Sequence, residues 1–295
     1  MKTPANTEAL REYIGKAKIL VEALPYIKEF SGITVVIKYG GSALINDEIK
    51  NTVMQDIALM KFVGFKPVIV HGGGPDINAM LNRVGIKSEF VNGLRVTTPE
   101  TMEVVEMVLA GKLNKAITTE LSMQGIQAAG ISGKDGGMLK VKKLMPDGAD
   151  IGLVGEIESV DTKLIQTLID NDFVPVISPI GVDANGNSYN INADYAAVAI
   201  AGALKAKKLF FLTDIEGVMR DVHDSNSVYS RITVQEIRDM IQSGHISGGM
   251  IPKVECCIAG VQAGVNNVHI LDGRLEHCLI LEIFTKEGIG TLIEE

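Results

Sequence analysis

Apolar and polar positions follow two rhythms along the chain. Five short runs, at 33–37, 68–70, 174–177, 209–212 and 268–271, are rich in β-branched and aromatic residues and almost wholly apolar. Runs of this length without a polar face suit strands buried on both sides. The turns that follow them are Lys38-Tyr39-Gly40-Gly41, His71-Gly72-Gly73-Gly74, Ser178-Pro179, Thr213-Asp214 and Asp272-Gly273. Between most of them the apolar spacing becomes helical, over about 47–63, 75–84, 99–123, 162–171, 193–204, 234–243 and 251–264. Strands alternating with helices predict an α/β fold with a mainly parallel, doubly wound sheet. The stretch 139–160 breaks the rhythm and reads as hairpin strands. A soft lobe boundary falls near 183–188, where Asp-Ala-Asn-Gly-Asn-Ser has turn composition.

Residues 1–30 stand apart. Leu10, Ile14, Ala17, Val21 and Leu24 recur at helical spacing and form an apolar stripe. Pro25 is expected to kink or end that helix. The stripe packs either on its own domain or, as an extension, on another subunit.

Composition narrows the function. The 295 residues, 46% of them hydrophobic, can build a full core as one large domain or two lobes. A net charge of −8 argues against nonspecific binding to nucleic acid, so a site for an anion must rest on local Lys, Arg and backbone N–H groups. Cys256, Cys257 and Cys278 lack metal-site spacing and fit a reducing cytosol. The only N-terminal apolar stretch is short and broken by Glu22, and no run approaches a membrane span. A cytoplasmic protein is the expectation.

In open parallel sheets ligands bind beyond the carboxyl ends of the strands, which directs attention to the turns. Lys38 closes the first strand and Gly40-Gly41-Ser42 follow, a point charge beside backbone that can approach phosphate closely. At the second turn three glycines precede Pro75-Asp76, where a helix should open with N–H groups directed at an anion. His71, beside them, reads as a structural histidine. Neither the P-loop nor the dinucleotide fingerprint is present, since Gly130-Ile131-Ser132-Gly133-Lys134-Asp135 has the wrong spacing and last residue. Arg95 lies just before a capped helix start at Thr98-Pro99-Glu100, free to fork onto a carboxylate. Asn190-Ile191-Asn192-Ala193-Asp194 opens an alanine-rich helix, with Asn192 as its cap. Lys253 follows Pro252 at another helix start, where a cation opposes the helix dipole. A residue placed against local preference is a candidate functional residue.

The segments VIKYGGSAL, VIVHGGGPDIN, NGLRVTTPETME, PVISPIGVDANGNSYNINADYAA, LTDIEGV and SGGMIPKVE, in this order, resemble the amino acid kinase family. The NGLRVT and YNINAD segments resemble its N-acetylglutamate kinases in particular. The resemblance implies a three-layer αβα sandwich after an N-terminal helical extension at 1–30. It implies an acyl-substrate lobe at 31–185 and an ATP lobe at 186–295, together one kinase domain. Lys38 and Lys253 match the two lysines that stabilise the transition state, and Asp194 the aspartate that orients them. Gly73, Gly74, Arg95 and Asn190 match substrate positions. Gly40, Gly41, Thr213, Asp214 and Lys253 fall on the nucleotide side. The implied reaction phosphorylates the side-chain carboxylate of N-acetyl-L-glutamate with ATP and Mg²⁺, the ion arriving with the nucleotide. Tyr39 departs from the Leu or Phe common between that lysine and the glycines.

Extended forms of such kinases are hexamers, built as trimers of dimers and inhibited by arginine. The segment 22–30 and the stretches 269–277 and 282–285 resemble theirs. A cationic effector needs a carboxylate and an aromatic wall, which Glu282 and Tyr26 would supply. The alternatives are a glutamate or carbamate kinase, and a catalytically silent amino-acid sensor.

Overall fold

The computed structural model describes residues 7–40, 46–221, 224, 227–285 and 288–295. Gly41 and Ser42 lie outside the described residues. In chain order the first half runs α1 (Thr7–Phe30), β1 (Thr34–Tyr39), α2 (Asp47–Phe62), β2 (Lys66–His71), α3 (Gly74–Arg83), β3 (Phe90–Val91), β4 (Leu94–Arg95), α4 (Pro99–Glu106), α5 (Asn114–Met123), β5 (Ala128–Ser132), β6 (Leu139–Lys143) and β7 (Gly155–Val160). The second half runs α6 (Lys163–Asp170), β8 (Val174–Ser178), β9 (Ile180–Val182), β10 (Ser188–Asn190), α7 (Ala193–Ala203), β11 (Lys208–Thr213), β12 (Arg231–Thr233), α8 (Val234–Gln242), α9 (Met250–Gln262), β13 (Asn267–Asp272), α10 (Cys278–Phe284) and β14 (Thr291–Glu294).

Eight strands form the main sheet in the order β12-β14-β13-β11-β1-β2-β8-β5. Only β13 and β14 pair antiparallel; the other neighbours are parallel. The five apolar runs are the five adjacent strands β13, β11, β1, β2 and β8. Period-two alternation splits each between two cores. Val36, Val68, Leu209 and Val268 face the layer containing α6–α9. Val35, Ile37, Ile69 and Phe210 face α2, α5 and α10. Both faces are covered by helices, which gives the three-layer α/β sandwich. A smaller sheet, β10-β9-β6-β7, and the β3–β4 hairpin lie apart from it. Residues 183–187 form the turn joining β9 and β10, antiparallel neighbours in that smaller sheet.

Two expectations change. The helix anticipated over 99–123 is interrupted by a π-helical stretch, Met107–Leu113, between α4 and α5. Such widened turns recur at functional sites. Of the two outcomes expected at Pro25, a kink or an end, the end does not occur: the first helix runs through it to Phe30. Its last turn is held by tertiary packing: Tyr26 meets Phe284 edge-on at 6.3 Å, and Phe30 meets Phe65 at 5.9 Å. That packing offsets the hydrogen bond that proline removes. Upstream of it, Leu10, Ile14, Val21 and Leu24 are all exposed. Among the described residues no helix is long and apolar enough to cross a membrane.

Candidate active site

The parallel strands end side by side, and the turns after β1 and β2 touch. A Cβ on Gly40 would stand 3.3 Å from the Gly72 nitrogen, so a larger residue would push the two turns apart by a few tenths of an ångström. Lys38 shares the strand face of Val36 and therefore points toward α7, where it meets Asp194. Their Nζ–Oδ1 distance is 2.9 Å. Asp194 Oδ1 is buried and makes no hydrogen bond among the described residues, so this ion pair is what holds it. Asp194 sits in the first turn of α7 because Asn192 caps the helix, its side chain accepting from the Asp194 N–H at 2.8 Å.

Beside this pair opens a cleft of about 290 Å³, walled by Lys38, Gly73, Gly74, Arg95, Asn190 and Asp194, with Leu109 from the π-helical stretch. At Gly73 a Cβ would collide with the side-chain ends of Leu113 and Leu109, the latter at 2.6 Å, so a larger residue at the α3 entrance would have to displace both. The Gly73 and Gly74 N–H groups have no acceptor among the described residues. With the dipole of α3 behind them, they form an anion seat.

Arg95 closes the other end of the cleft. The residue is 7% exposed, and burial holds its guanidinium below the usual range. Its Nη1 donates to Asn78 Oδ1 at 2.7 Å and to Ser88 Oγ, and its Nη2 to the Gly74 carbonyl at 3.3 Å. The Phe90 ring stacks on it at 4.7 Å. All three acceptors are neutral, and among the described residues no carboxylate is within ion-pair reach of it. A buried cation without an anion is costly unless a ligand completes it. Asn190 hangs from the same framework: its Nδ2 donates to Thr97 Oγ1 at 3.3 Å, and Thr97 donates to the Arg95 carbonyl at 2.9 Å.

Lys253 lies elsewhere. On α9 it pairs with Asp214 at 2.8 Å, and this bond pulls the Asp214 carboxylate below its ordinary range. It is not part of the cleft wall, so Asp194 holds only the first of the two lysines here. Asp214 borders a second cavity, of about 360 Å³, with Ile215, Val218, Met219, Met250 and Arg274. Its lining is largely apolar, with Arg274 set among the carboxylates of Asp214 and Glu216. Thr213 shapes the strand end: its Oγ1 accepts from the Ile215 N–H at 3.2 Å.

Tyr26 lines a further cavity of about 550 Å³ with Glu22 and Phe284. Glu282 does not line it. Its carboxylate accepts from His269 Nδ1 at 2.7 Å and from the N–H groups of Ile289 and Gly290 at 2.7 and 3.2 Å. Burial would raise its pKa, but these bonds outweigh burial and hold it low.

Sequence reasoning missed Asn78 and Ser88, which orient Arg95 from 17 and 7 residues away. It also missed Phe90 and the apolar lining of the second cavity. No local pattern marks such partners; only the hairpin that brings Arg95 over α3 does.

Lys38 with its partner Asp194, the Gly73 and Gly74 backbone and the buried Arg95 thus line one cleft at the ends of adjacent parallel strands. The chain belongs to the amino acid kinase family, whose model matches residues 34–272. It is 56% identical over 280 residues to acetylglutamate kinase of Thermoanaerobacter sp. (strain X514), covering 95% of this chain and 93% of that protein. A solved structure of N-acetylglutamate synthase from Neisseria gonorrhoeae, complexed with coenzyme A and N-acetyl-glutamate, superposes with a TM-score of 0.83 at 26% identity. That match covers 95% of this chain and 63% of that one. The synthase complexed with coenzyme A and L-arginine has a TM-score of 0.77 at 24% identity, with coverage of 94% and 65%.

Proposed function

We propose that the chain transfers the γ-phosphoryl group of ATP to the side-chain carboxylate of N-acetyl-L-glutamate, a step of arginine biosynthesis. The observation that carries the reading is Arg95, a buried guanidinium with only neutral partners, in the cleft that also holds Lys38 and the free glycine N–H groups. The substrate's α-carboxylate pairs with Arg95 and its amide meets Asn190. Its reacting carboxylate then points at Gly73, Gly74 and Lys38. A carboxylate of pKa about 4.3 is already ionised at neutral pH, so no general base is needed. The obstacle is repulsion between two anions, and catalysis is positioning with charge stabilisation. Lys38 and Lys253 approach the transferring phosphoryl group from the two lobes, 31–185 and 186–295. Asp194 holds Lys38, and Asp214 holds Lys253 until the nucleotide arrives. The Ile215–Met250 cavity takes the adenine side, with Gly40 and Thr213 near the phosphates. Mg²⁺ arriving with the nucleotide would supply further charge neutralisation.

The exposed stripe of α1 suits a second copy of the chain, and an extension interlacing dimers into a hexamer accounts for it. Arginine is then an effector at a separate site near Tyr26, Phe284 and the buried Glu282. Three free, buried cysteines fit a cytoplasmic setting. The test of substrate is ADP release with N-acetylglutamate, glutamate and aspartate in parallel. N-acetylglutamate should react and free glutamate poorly, because its charged amine lacks a partner. Equal kcat/KM for the two overturns the reading.

A further inference from the structure

His71 ends β2 on the face opposite Lys38 and is fully buried. Its Nδ1 lies 2.9 Å from the carbonyl oxygen of Gly72. A carbonyl only accepts, so Nδ1 carries the proton and Nε2 is bare. Nε2 lies 3.3 Å from Asn114 Nδ2. The orientation of Asn114 is fixed in turn: its Oδ1 accepts from Lys115 Nζ at 3.0 Å, and its Nδ2 donates one hydrogen to the Val176 carbonyl at 2.9 Å and shares the other between the Ile131 carbonyl at 3.2 Å and His71 Nε2. Asn114 directly follows the π-helical stretch, whose Leu109 and Leu113 press on Gly73.

These contacts converge on one peptide. The described chain has no cis bonds, so the Gly72 carbonyl and the Gly73 N–H point in opposite directions. With its oxygen held by His71 in the core, the Gly72–Gly73 peptide must direct its N–H away from the core, on the cleft side. Glycine on both sides gives this peptide little conformational restraint of its own. We infer that His71, locked by Asn114, is a positioning residue that aims the Gly73 N–H at the reacting group. The inference deepens the reading given above, since it requires the glycine turn to meet the substrate. Burial that pulls the imidazole down to about 4 agrees, because a proton on Nε2 would face the Asn114 amide donor.

The test compares three substitutions. Asparagine places its amide near the Nδ1 position and can still donate to Gly72. Glutamine reaches the Nε2 position instead, and leucine does neither. Losing one such donor costs about 10²–10³ in kcat, and misaiming it should cost about 10–100-fold. His71→Leu and His71→Gln are expected to lose that much kcat with KM for N-acetylglutamate changed less than about threefold. His71→Asn is expected to recover most of the loss. Equal kcat for His71→Gln and His71→Asn, or losses that track melting temperature alone, overturn the inference. Should the variants not fold, the wild-type protein decides. Long-range proton–nitrogen NMR is expected to show the Nδ1–H tautomer of His71, and the Nε2–H tautomer overturns the inference. Glycine-labelled wild type separates the two levels of the argument. If N-acetylglutamate with MgADP leaves the Gly73 and Gly74 amide resonances unmoved, the glycine-turn reading itself fails. If they move while His71→Gln matches His71→Asn, only the role of His71 does.

Discussion

Replacing Arg95 by alanine tests the substrate site at its most exposed assumption. A guanidinium has five N–H donors. Three are engaged, with Asn78, Ser88 and Gly74. The two left over, on Nε and Nη2, form the side-on fork that grips a carboxylate. The same fork is already made once in this chain, where Arg274 Nε and Nη2 each donate to Asp272 at 2.8 Å. A hydrogen bond between charged partners is worth about 1.5–3 kcal/mol, so two amount to about 3–6 kcal/mol. Water entering the gap returns part of that. At 1.36 kcal/mol per tenfold, Arg95→Ala should lower kcat/KM by about 10²–10³. The loss should appear in KM for N-acetylglutamate, because the α-carboxylate is bound alike in ground and transition states. Arg95→Lys restores charge but not the fork and should recover only part. The assay is ADP release against N-acetylglutamate concentration at saturating MgATP, with melting temperature as a control for the loosened Asn78 and Ser88. A KM within threefold of wild type, in a folded Arg95→Ala protein, refutes the reasoning.

Lys38→Ala and Lys253→Ala should each lower kcat by roughly 10²–10³, the loss of one transition-state charge contact, as single-turnover rates will show. If Lys253→Ala keeps wild-type kcat, the pairing of Lys253 with Asp214 is structural only. Deleting residues 1–28 should give active dimers that no longer respond to low arginine, read by light scattering and inhibition curves. A deletion form that stays hexameric or stays sensitive makes α1 ordinary packing. Acid stability reports on His71. Its imidazole titrates at 6.5 when free and at about 4 in the fold, so between these values the unfolded chain binds the proton first. Stability from this group therefore falls as pH drops from 6.5 toward 4, by about 2–3 kcal/mol at pH 4.5. In urea melts the advantage of wild type over His71→Asn should shrink by that amount between pH 7 and 4.5; parallel curves contradict it.

The five central strands were legible because burial on both faces leaves an uninterrupted apolar run. The outer strands were not. β5, Ala128–Ser132, at one edge, is small and half-buried, and β12 at the other edge with β14 beside it are short pieces whose polar residues break any run. The π-helical stretch keeps helical apolar spacing, so nothing in the pattern separates it from its neighbours. Within the site, Lys38, Gly73, Arg95, Asn190 and Asp194 were identified from motifs, and the fold gathers them into one cleft. Lys253 and Asp214 were placed beside the nucleotide, but their mutual ion pair was not foreseen. It depends on two strand and helix ends 39 residues apart. Glu282 shows the converse. A carboxylate near an aromatic reads as a ligand group in sequence, whereas the fold gives its oxygens to His269 and two backbone N–H groups.

The central claim is that one cleft grips the α-carboxylate at Arg95 and presents the other carboxylate to a phosphoryl group between two lysines. The most direct measurement is a crystal structure with N-acetylglutamate, Mg²⁺ and a nonhydrolysable ATP analogue. The account expects the α-carboxylate on Arg95 Nε and Nη2, and the side-chain carboxylate at the Gly73 and Gly74 N–H groups. It also expects Lys253 released from Asp214 onto the terminal phosphate, opposite Lys38. A substrate carboxylate bound away from Arg95, or Lys253 still paired with Asp214 beside a fully ordered nucleotide, would contradict it.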